Sequence, residues 1–296
     1  MSVFVSSGAF GSVRTVDELL PLCREQGVKR VELASGLGAN AESLAALGAT
    51  DSDDFSFLLH NYFPAPDLPF VLNLADRDEP NRLRSIEFCR SALQLSAGIG
   101  APFYSVHAGF VATLRPEDLG KPERQNFTVS ESDYSEGMER FTESVEELDR
   151  TASRLGIRLL LENNVDGVGS PERSHLLLVS GEDITLFFAN NSFESVGLLM
   201  DVAHLAVSAT HRGFSATKAL EDSGPWVEAL HLSDNDGSRD TNECCTDGSW
   251  FWEPLTQSIN PGIPAVLEAY RLSATQIDEQ VALIESRLSF TSATYR

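Results

Sequence analysis

The segment VEALHLSDND, residues 227–236, joins a short apolar run to a histidine and two aspartates. A continuous run of this length is typical of a strand that is buried on both faces. The polar side chains begin where the run ends, at His231. Because parallel α/β folds bind ligands at the carboxyl ends of their strands, this segment predicts a strand that delivers its last residues to a site.

The same pattern recurs along the whole chain. Eight apolar runs occur, at residues 3–5, 28–33, 55–59, 102–106, 157–161, 196–200, 227–230 and 264–267. Stretches with helical periodicity or capping boxes lie between most of them, for example after Thr15, from Ser135 to Gly156 and after Ser273. This alternation predicts a single (β/α)8 TIM barrel over residues 1–296, with its site at the carboxyl ends of the strands. The alternative is an open doubly wound sheet, although no complete Gly-x-Gly-x-x-Gly follows a strand.

The composition argues against membrane-spanning, secreted and disulfide-rich proteins. The chain has 296 residues, 42% of them hydrophobic, which is enough for one large core. No apolar stretch has the length of a membrane span, and no secretory signal is recognisable at the start. The four cysteines lack metal-knuckle spacing and make a poor disulfide framework. We therefore expect a reduced, cytoplasmic protein.

The formal net charge is −22, and only three lysines occur. Nucleic-acid affinity depends on basic groups that displace counterions from phosphates, so this charge argues against a nucleic-acid partner. It also argues against binding to an anionic membrane surface.

Seven of the eight predicted strands contain or end on an imidazole or a carboxylate. These residues are Glu32, His60, His107, Glu162, Asp201, His231 and Glu268, and His204 follows Asp201 by one helical turn. Buried groups of this kind, converging at one barrel mouth, require a cation to balance them. The inner set, Glu162, Asp201, His231 and Glu268, offers three carboxylates and one imidazole. Such a set suits one divalent metal: Mn²⁺, Co²⁺, Mg²⁺ or Zn²⁺.

With these residues placed, the chain resembles the xylose isomerase-like barrel superfamily, and most of all its sugar phosphate isomerase/epimerase group. That group includes ketose 3-epimerases, hydroxypyruvate isomerases and inosose dehydratases. The resembling segments, in the family's order, are VELASG, LLHN, YSVHAG, LLLENN, LLMDVAHL, LHLSDNDG and VLEAYR.

The resemblance implies a metal-dependent isomerase or epimerase of a small polyhydroxylated carbonyl substrate. In the epimerases the counterparts of the inner set bind one metal, and those of Glu162 and Glu268 are also the acid/base pair. Proton removal next to the carbonyl would give a metal-stabilised enediolate, and the proton would return to the opposite face or to the adjacent carbon. Substrate contacts are expected from His60, His107, His204, Glu32, Asn163 and Asp240.

Two positions depart from relatives. Gly237 stands where ketose 3-epimerases have an arginine, so substrate contacts in that loop cannot be transferred. Asn242 stands where endonuclease IV, which shares the barrel, has a histidine ligand of its third zinc ion. His60 and His107 match histidines of that enzyme's first zinc, so they are candidates for a second metal site.

Three other functions stay open at this point. A dehydratase of a keto-sugar or inosose would begin with the same proton removal. A phosphodiesterase like endonuclease IV would need two or three zinc ions. A non-catalytic binding protein would have a vestigial metal site.

Two long loops are candidates for specificity or for an interface. Residues 114–133 carry Arg115, Lys121 and Arg124, which could meet a substrate anion or be solvated. Residues 241–254 contain Trp250-Phe251-Trp252, which could cover a substrate or lie in a subunit interface. Related barrels are often dimers or tetramers, so by analogy a homo-oligomer is one possible partner state, which the sequence itself does not decide.

Overall fold

The computed structural model describes residues 2–49, 54–118, 129–167 and 174–288. Its centre is a closed barrel of eight parallel strands in sequence order, with β8 pairing back to β1. The strands are β1 (Val3–Ser6), β2 (Arg30–Leu33), β3 (Ser56–His60), β4 (Phe103–His107), β5 (Arg158–Glu162), β6 (Val196–Asp201), β7 (Val227–Leu232) and β8 (Ala265–Leu267). The predicted (β/α)8 barrel is therefore confirmed, and the doubly wound alternative is wrong.

The strands alternate with helices on the outside of the barrel. The helices of at least seven residues in the described ranges are α1 (Val16–Glu25), α2 (Ala41–Ala49), α3 (Glu79–Gly98), α4 (Glu131–Leu155), α5 (Gly181–Asn190), α6 (Val202–Arg212), α7 (Ala216–Ser223), α8 (Trp252–Ser258) and α9 (Ala274–Leu288). Helix α4 begins earlier than its apolar periodicity predicted, because the Ser130 hydroxyl accepts a hydrogen bond from the Asp133 N–H and caps it there. Gly156 ends α4 in the left-handed conformation, with φ 69°.

The interior of the barrel is closed by an apolar layer. Its members, one from each strand except β2, are Phe4, Leu58, Phe103, Leu160, Leu199, Ala229 and Val266, all buried. Successive side chains of a strand point to opposite faces, so the residue two positions after each of these also points inward, one layer nearer the carboxyl end. This layer is the floor on which the polar residues of the strand ends lie.

The aromatic segment after β7 packs into the protein instead of covering a site. Phe251 is fully buried and Trp252 is 6% exposed, and both belong to the main core between strands and helices. The Trp252 indole N–H donates to the Thr246 carbonyl at 2.7 Å. The expectation that these rings cover a substrate or form a subunit interface is wrong for Phe251 and Trp252, because their apolar area is already buried in the core.

Among the described residues, no helix combines the length and the apolar character needed to cross a membrane.

Candidate functional site

Strand periodicity places the four inner residues at one level of the barrel mouth. Glu162, Asp201 and His231 each follow, by two positions, a residue of the apolar floor, and each is the last or next-to-last residue of its strand. Glu268 follows Val266 in the same way, one residue past β8. Pairing of Asp201 with His231 in the β6–β7 register fixes two of them side by side.

The ligand-type atoms of Glu162, Asp201, His231 and Glu268 all lie within 4.8 Å of one another. His231 is at the middle: its Nδ1 is 2.9 Å from Glu268 Oε2, 3.1 Å from Glu162 Oε1 and 3.9 Å from Asp201 Oδ2. The two glutamates and the aspartate are 0–6% exposed, and His231 is fully buried. Three carboxylates and one ring nitrogen thus face a common point.

Several of these buried oxygen atoms lack a hydrogen-bond partner among the described residues. They are Glu162 Oε2, Asp201 Oδ2 and Glu268 Oε2, which form no well-oriented hydrogen bond and whose nearest polar neighbours are imidazole nitrogens. A buried carboxylate oxygen without a partner costs free energy, and three in one place repel one another. A divalent cation would coordinate these oxygen atoms and offset the repulsion between the carboxylates. The set therefore fits the metal that the sequence predicted.

The electrostatics of the set agree with this interpretation. Burial opposes protonation of His231, but Glu268, Glu32 and Glu162 raise its pKa well above the ordinary value. Burial would raise the pKa of Glu268, yet His231 lowers it to about 2. Burial and the neighbouring Glu268 raise the pKa of Asp201 well above its ordinary value. Without a metal, protons on His231 and Asp201 therefore supply the balancing charge that a cation would bring.

Asn163 and Asp201 are held together by a reciprocal pair of hydrogen bonds. The Asn163 amide donates to the Asp201 carbonyl at 3.0 Å, and the Asp201 N–H donates to the Asn163 side-chain oxygen at 2.7 Å. Asp201 Oδ1 also accepts from the His204 N–H at 2.8 Å and so caps α6. Asn163 is fully buried, so its placement favours positioning of Asp201 over the predicted substrate contact.

His204 and Asp240 form the next group outward. His204 Nδ1 lies 2.9 Å from the Asn163 carbonyl oxygen, and its Nε2 lies 3.4 Å from Asp240 Oδ2. The Asp240 carboxylate is 24% exposed, whereas the His204 side chain is 8% exposed. Of the two, Asp240 is therefore the more accessible to a substrate.

Glu32 lies behind His231 instead of in front of it. Its Oε2 is 2.9 Å from His231 Nε2, the ring nitrogen that faces away from the inner carboxylates, and Glu32 is fully buried. The sequence predicted a substrate contact here. Complete burial instead favours a role in orienting His231.

A second group of ligand-type atoms adjoins the first. His60, His107 and Glu162 bring theirs within 4.8 Å of one another, and both imidazoles lie 3.3 Å from Glu162 Oε2. His60 Nδ1 is 3.0 Å from the Ser105 hydroxyl, which fixes the ring. Burial lowers the pKa of His107 to about 4, so this ring is neutral near pH 7 and its lone pair is available. The geometry thus brings together the residues of the candidate second metal site.

Two cavities open at this mouth, on either side of Ser35 and His107, which line both. One, of about 650 Å³, includes Glu268 and His60 in its wall. The other, of about 500 Å³, is lined mainly by apolar groups such as Phe70 and Phe110. Of the inner residues, Glu268 is therefore reachable from solvent through the first cavity.

The sequence reasoning assigned no role to Tyr270. Its hydroxyl donates to Glu268 Oε1 at 3.2 Å, and its ring lines the larger cavity. The sequence did contain a signal for this contact: in an extended segment, the residue two positions after Glu268 points to the same side as Glu268.

The first specificity loop, 114–133, is only partly described. The Arg115 side chain is 71% exposed and lies 3.5 Å from Glu117. Lys121 and Arg124 lie outside the described residues, and residues 131–133 belong to α4.

Comparison with known proteins identifies solved structures that are similar to this barrel. No curated protein sequence matches the chain significantly. Among solved structures, a D-tagatose 3-epimerase-like protein is 17% identical with a TM-score of 0.74, and the match covers 98% of both chains. The IOLI protein with a bound zinc atom is 14% identical over 99% of this chain and 100% of the other, with a TM-score of 0.70. A protein from Thermus thermophilus, soaked with ZnCl2, is 21% identical over 98% of both chains, with a TM-score of 0.61.

The family model of the xylose isomerase-like TIM barrel matches residues 14–287. That span contains all seven strand-end residues of the site and the seven strands after β1. The resemblance seen in the short sequence segments is thus confirmed, and the chain belongs to the xylose isomerase-like TIM barrel family.

Proposed function

We propose that the protein is a divalent-metal-dependent isomerase or epimerase that acts on a small sugar or sugar derivative. The observation that carries this proposal is the convergence of Glu162, Asp201, His231 and Glu268 within 4.8 Å of one another at the barrel mouth, where Glu268 lines an open cavity. The solved structures similar to it include a D-tagatose 3-epimerase-like protein and an L-ribulose 3-epimerase, which supports a carbohydrate substrate.

In this proposal the four inner residues hold the metal. A divalent cation bound there would polarise the substrate carbonyl and its neighbouring hydroxyl and offset the negative charge that develops as a proton leaves. Asn163 and Glu32 orient two of the proposed metal ligands: Asn163 hydrogen-bonds to Asp201, and Glu32 contacts the ring of His231.

Glu268 and Glu162 are the proposed acid/base pair. Glu268 lies on the cavity wall, its side chain is 8% exposed, and its low pKa leaves it ionised and able to accept a proton from the carbon next to the carbonyl. Glu162 lies deeper: its side chain is 1% exposed, and its Oε1 is 3.1 Å from His231 Nδ1. A proton returned by the second glutamate to the opposite face inverts the carbon, and one returned to the adjacent carbon isomerises the sugar.

The remaining polar residues are proposed to bind substrate hydroxyl groups. His60 and His107 line the cavity with Glu268, and His204 Nε2 lies 3.7 Å from Asp201 Oδ2 and 3.4 Å from Asp240 Oδ2. The same His60, His107 and Glu162 group could instead hold a second cation, and metal stoichiometry distinguishes these two roles.

Deuterium exchange tests this function. Metal-loaded protein is incubated in D₂O with a panel of ketoses and keto-sugar derivatives, and incorporation at the carbon next to the carbonyl is followed by NMR. We expect incorporation together with an isomer or epimer of unchanged composition. A product that has lost water would instead identify a dehydratase.

Two variants sharpen the test. Glu268→Gln keeps the shape of the side chain but removes the base, so exchange should fall by about 10³-fold or more. Glu42→Gln, an exposed change on α2, is the matched control and should exchange like the wild type. Exchange by Glu268→Gln at the wild-type rate, with metal bound, would rule out the role proposed for Glu268.

A further inference from the structure

The larger cavity at the barrel mouth has a cationic wall. Arg14 and Arg271 line it together with Glu268, His60 and His107. Two arginines, both exposed, therefore border the same open cavity as the proposed base, in a chain whose formal net charge is −22.

Neither guanidinium is neutralised within the protein. Across residues 2–49, 54–118, 129–167 and 174–288, no carboxylate forms an ion pair with Arg14 or Arg271, and neither side chain donates a hydrogen bond. Eight of the other fourteen arginines in the described ranges, such as Arg82, Arg90 and Arg158, do pair with a carboxylate. In so acidic a protein, two unpaired cations on one cavity wall indicate a site for an anion.

The backbone holds both arginines on that wall. The Arg271 N–H donates to the Gly8 carbonyl at 3.2 Å, and the next residue, Leu272, donates to Ala9 at 2.8 Å. The segment after β8 is thus tied to the turn after β1. Arg271 itself has φ 58°, a left-handed conformation that costs free energy for a residue other than glycine. The carbonyl of Arg14 accepts from Gly38 at 2.8 Å, and its N–H donates to the Glu18 carboxylate at 2.8 Å.

We propose that Arg14 and Arg271 bind an anionic group, a carboxylate or a phosphate, on the sugar substrate. The inference rests on the proposed function, because it takes this cavity as the substrate site. The carbonyl end of the sugar lies at Glu268 and the inner residues, and the anionic end lies at the arginines. The substrate class is then a sugar acid or a sugar phosphate, not a neutral sugar.

Equilibrium binding of unreactive probes tests this inference without turnover. The probes are D-glucitol, D-gluconate and D-glucitol 6-phosphate, which share a six-carbon polyol chain and lack the carbonyl needed for reaction. Calorimetric titrations use the metal-loaded wild type, Arg14→Gln, Arg271→Gln and the double variant. Arg30→Gln, an exposed change at the amino end of β2 and hence the opposite end of the barrel, is the matched control.

We expect at least one anion to bind the wild type about tenfold or more tightly than glucitol. Each single variant should lose much of that preference, the double variant all of it, and Arg30→Gln none. The preferred probe distinguishes a sugar acid from a sugar phosphate. Equal binding of all three probes, no binding by any of them, or an anion preference that survives in the double variant would overturn the inference.

The two proposals fail in different ways. If the arginines bind the anion but no carbonyl sugar exchanges deuterium, the proposed function is wrong and the anion site stands. If neutral ketoses exchange rapidly and the arginine variants exchange them equally well without any anion preference, the function stands and the anion site is wrong.

Discussion

Glu32 Oε2 lies 2.9 Å from His231 Nε2, and neither side chain has any exposed surface. The carboxylate thereby holds the ring so that Nδ1 points at Glu162, Asp201 and Glu268. It also favours the tautomer with the proton on Nε2, which leaves the Nδ1 lone pair available to a metal.

Glu32→Gln should weaken metal binding by about tenfold, and Glu32→Ala by up to about 100-fold, because His231 loses its orienting carboxylate. The measurement is a competitive titration of Mn²⁺ or Zn²⁺ against a chromogenic chelator. Circular dichroism checks that the variants fold. Unchanged metal affinity in both variants would show that Glu32 does not act through His231.

The turn after β1 and Glu268 are coupled through Tyr270. A Cβ atom at Gly8 would lie 2.5 Å from Tyr270 Cε1, so the ring must move in Gly8→Ala. That movement would break the Tyr270 hydroxyl bond to Glu268 Oε1. We expect deuterium exchange to slow by roughly tenfold, with Tyr270→Phe showing a similar loss.

The control for Gly8→Ala is Gly48→Ala, where a Cβ would meet nothing within 4 Å. That change should leave the exchange rate unaltered. If Gly8→Ala also exchanged at the wild-type rate, Tyr270 would have no influence on Glu268.

The apolar floor of the barrel is predicted to carry much of the stability. Leu160 is fully buried in it, so Leu160→Ala should lower the free energy of unfolding by about 2–5 kcal/mol. Leu186→Ala, at a position that is 54% exposed, should change it by less than about 0.5 kcal/mol. Urea unfolding followed by circular dichroism measures both. Equal effects of the two changes would contradict this account of the floor.

Thiol reactivity should divide the four cysteines. Burial raises the pKa of Cys23, Cys89 and Cys245 to about 12. At pH 8 their thiolate fraction is therefore very small in the folded protein, whereas Cys244 is only partly buried. Partial burial and the neighbouring Glu243 raise the pKa of Cys244 as well, so we expect it to react with a disulfide reagent more slowly than a free thiol but faster than the other three, and Cys244→Ser to remove that reaction. Rapid reaction of two or more thiols in the native protein would disagree with these burial effects.

Metal removal should destabilise the fold, because the inner carboxylates then face one another without a cation. At a free metal concentration of about 100 times Kd, binding stabilises the native state by about 2.7 kcal/mol, which corresponds to a Tm shift of about 4 °C for a chain of this length. Scanning calorimetry with and without a chelator measures the shift. Asp201→Asn, which lacks one proposed ligand charge, should show little response to metal; a shift as large as that of the wild type would contradict the ligand assignment.

The barrel and the inner set were predictable from sequence because both follow from strand periodicity. Apolar runs such as IRLLL end on Glu162, and a side chain two positions after a floor residue must point inward. The histidine at 231 and the aspartate at 201 obey the same rule. The spacing of residues along each strand was therefore enough to place the four inner residues in one layer of the barrel.

The sequence did not predict whether each side chain faces the cavity, lies behind the metal-ligand candidates or packs in the core. Glu32 and Asn163 were predicted substrate contacts, but both are fully buried behind metal-ligand candidates. Trp252 and Phe251 were predicted at the mouth or an interface, but they pack in the core. Tyr270 and Arg271 reach the cavity only because the segment after β8 is tied to the turn after β1. Contacts between such distant loops leave no periodic signal.

Metal content is the measurement that tests the central claim most directly. Wild type and Asp201→Asn would be stripped with chelator, reloaded separately with Mn²⁺, Co²⁺, Mg²⁺ and Zn²⁺, and freed of excess metal by gel filtration before elemental analysis. The account predicts about one ion per wild-type chain and a loss of most of it in Asp201→Asn. A wild-type protein that retains none of these metals, or an Asp201→Asn variant that retains as much as the wild type, would contradict the metal centre on which the proposed chemistry depends.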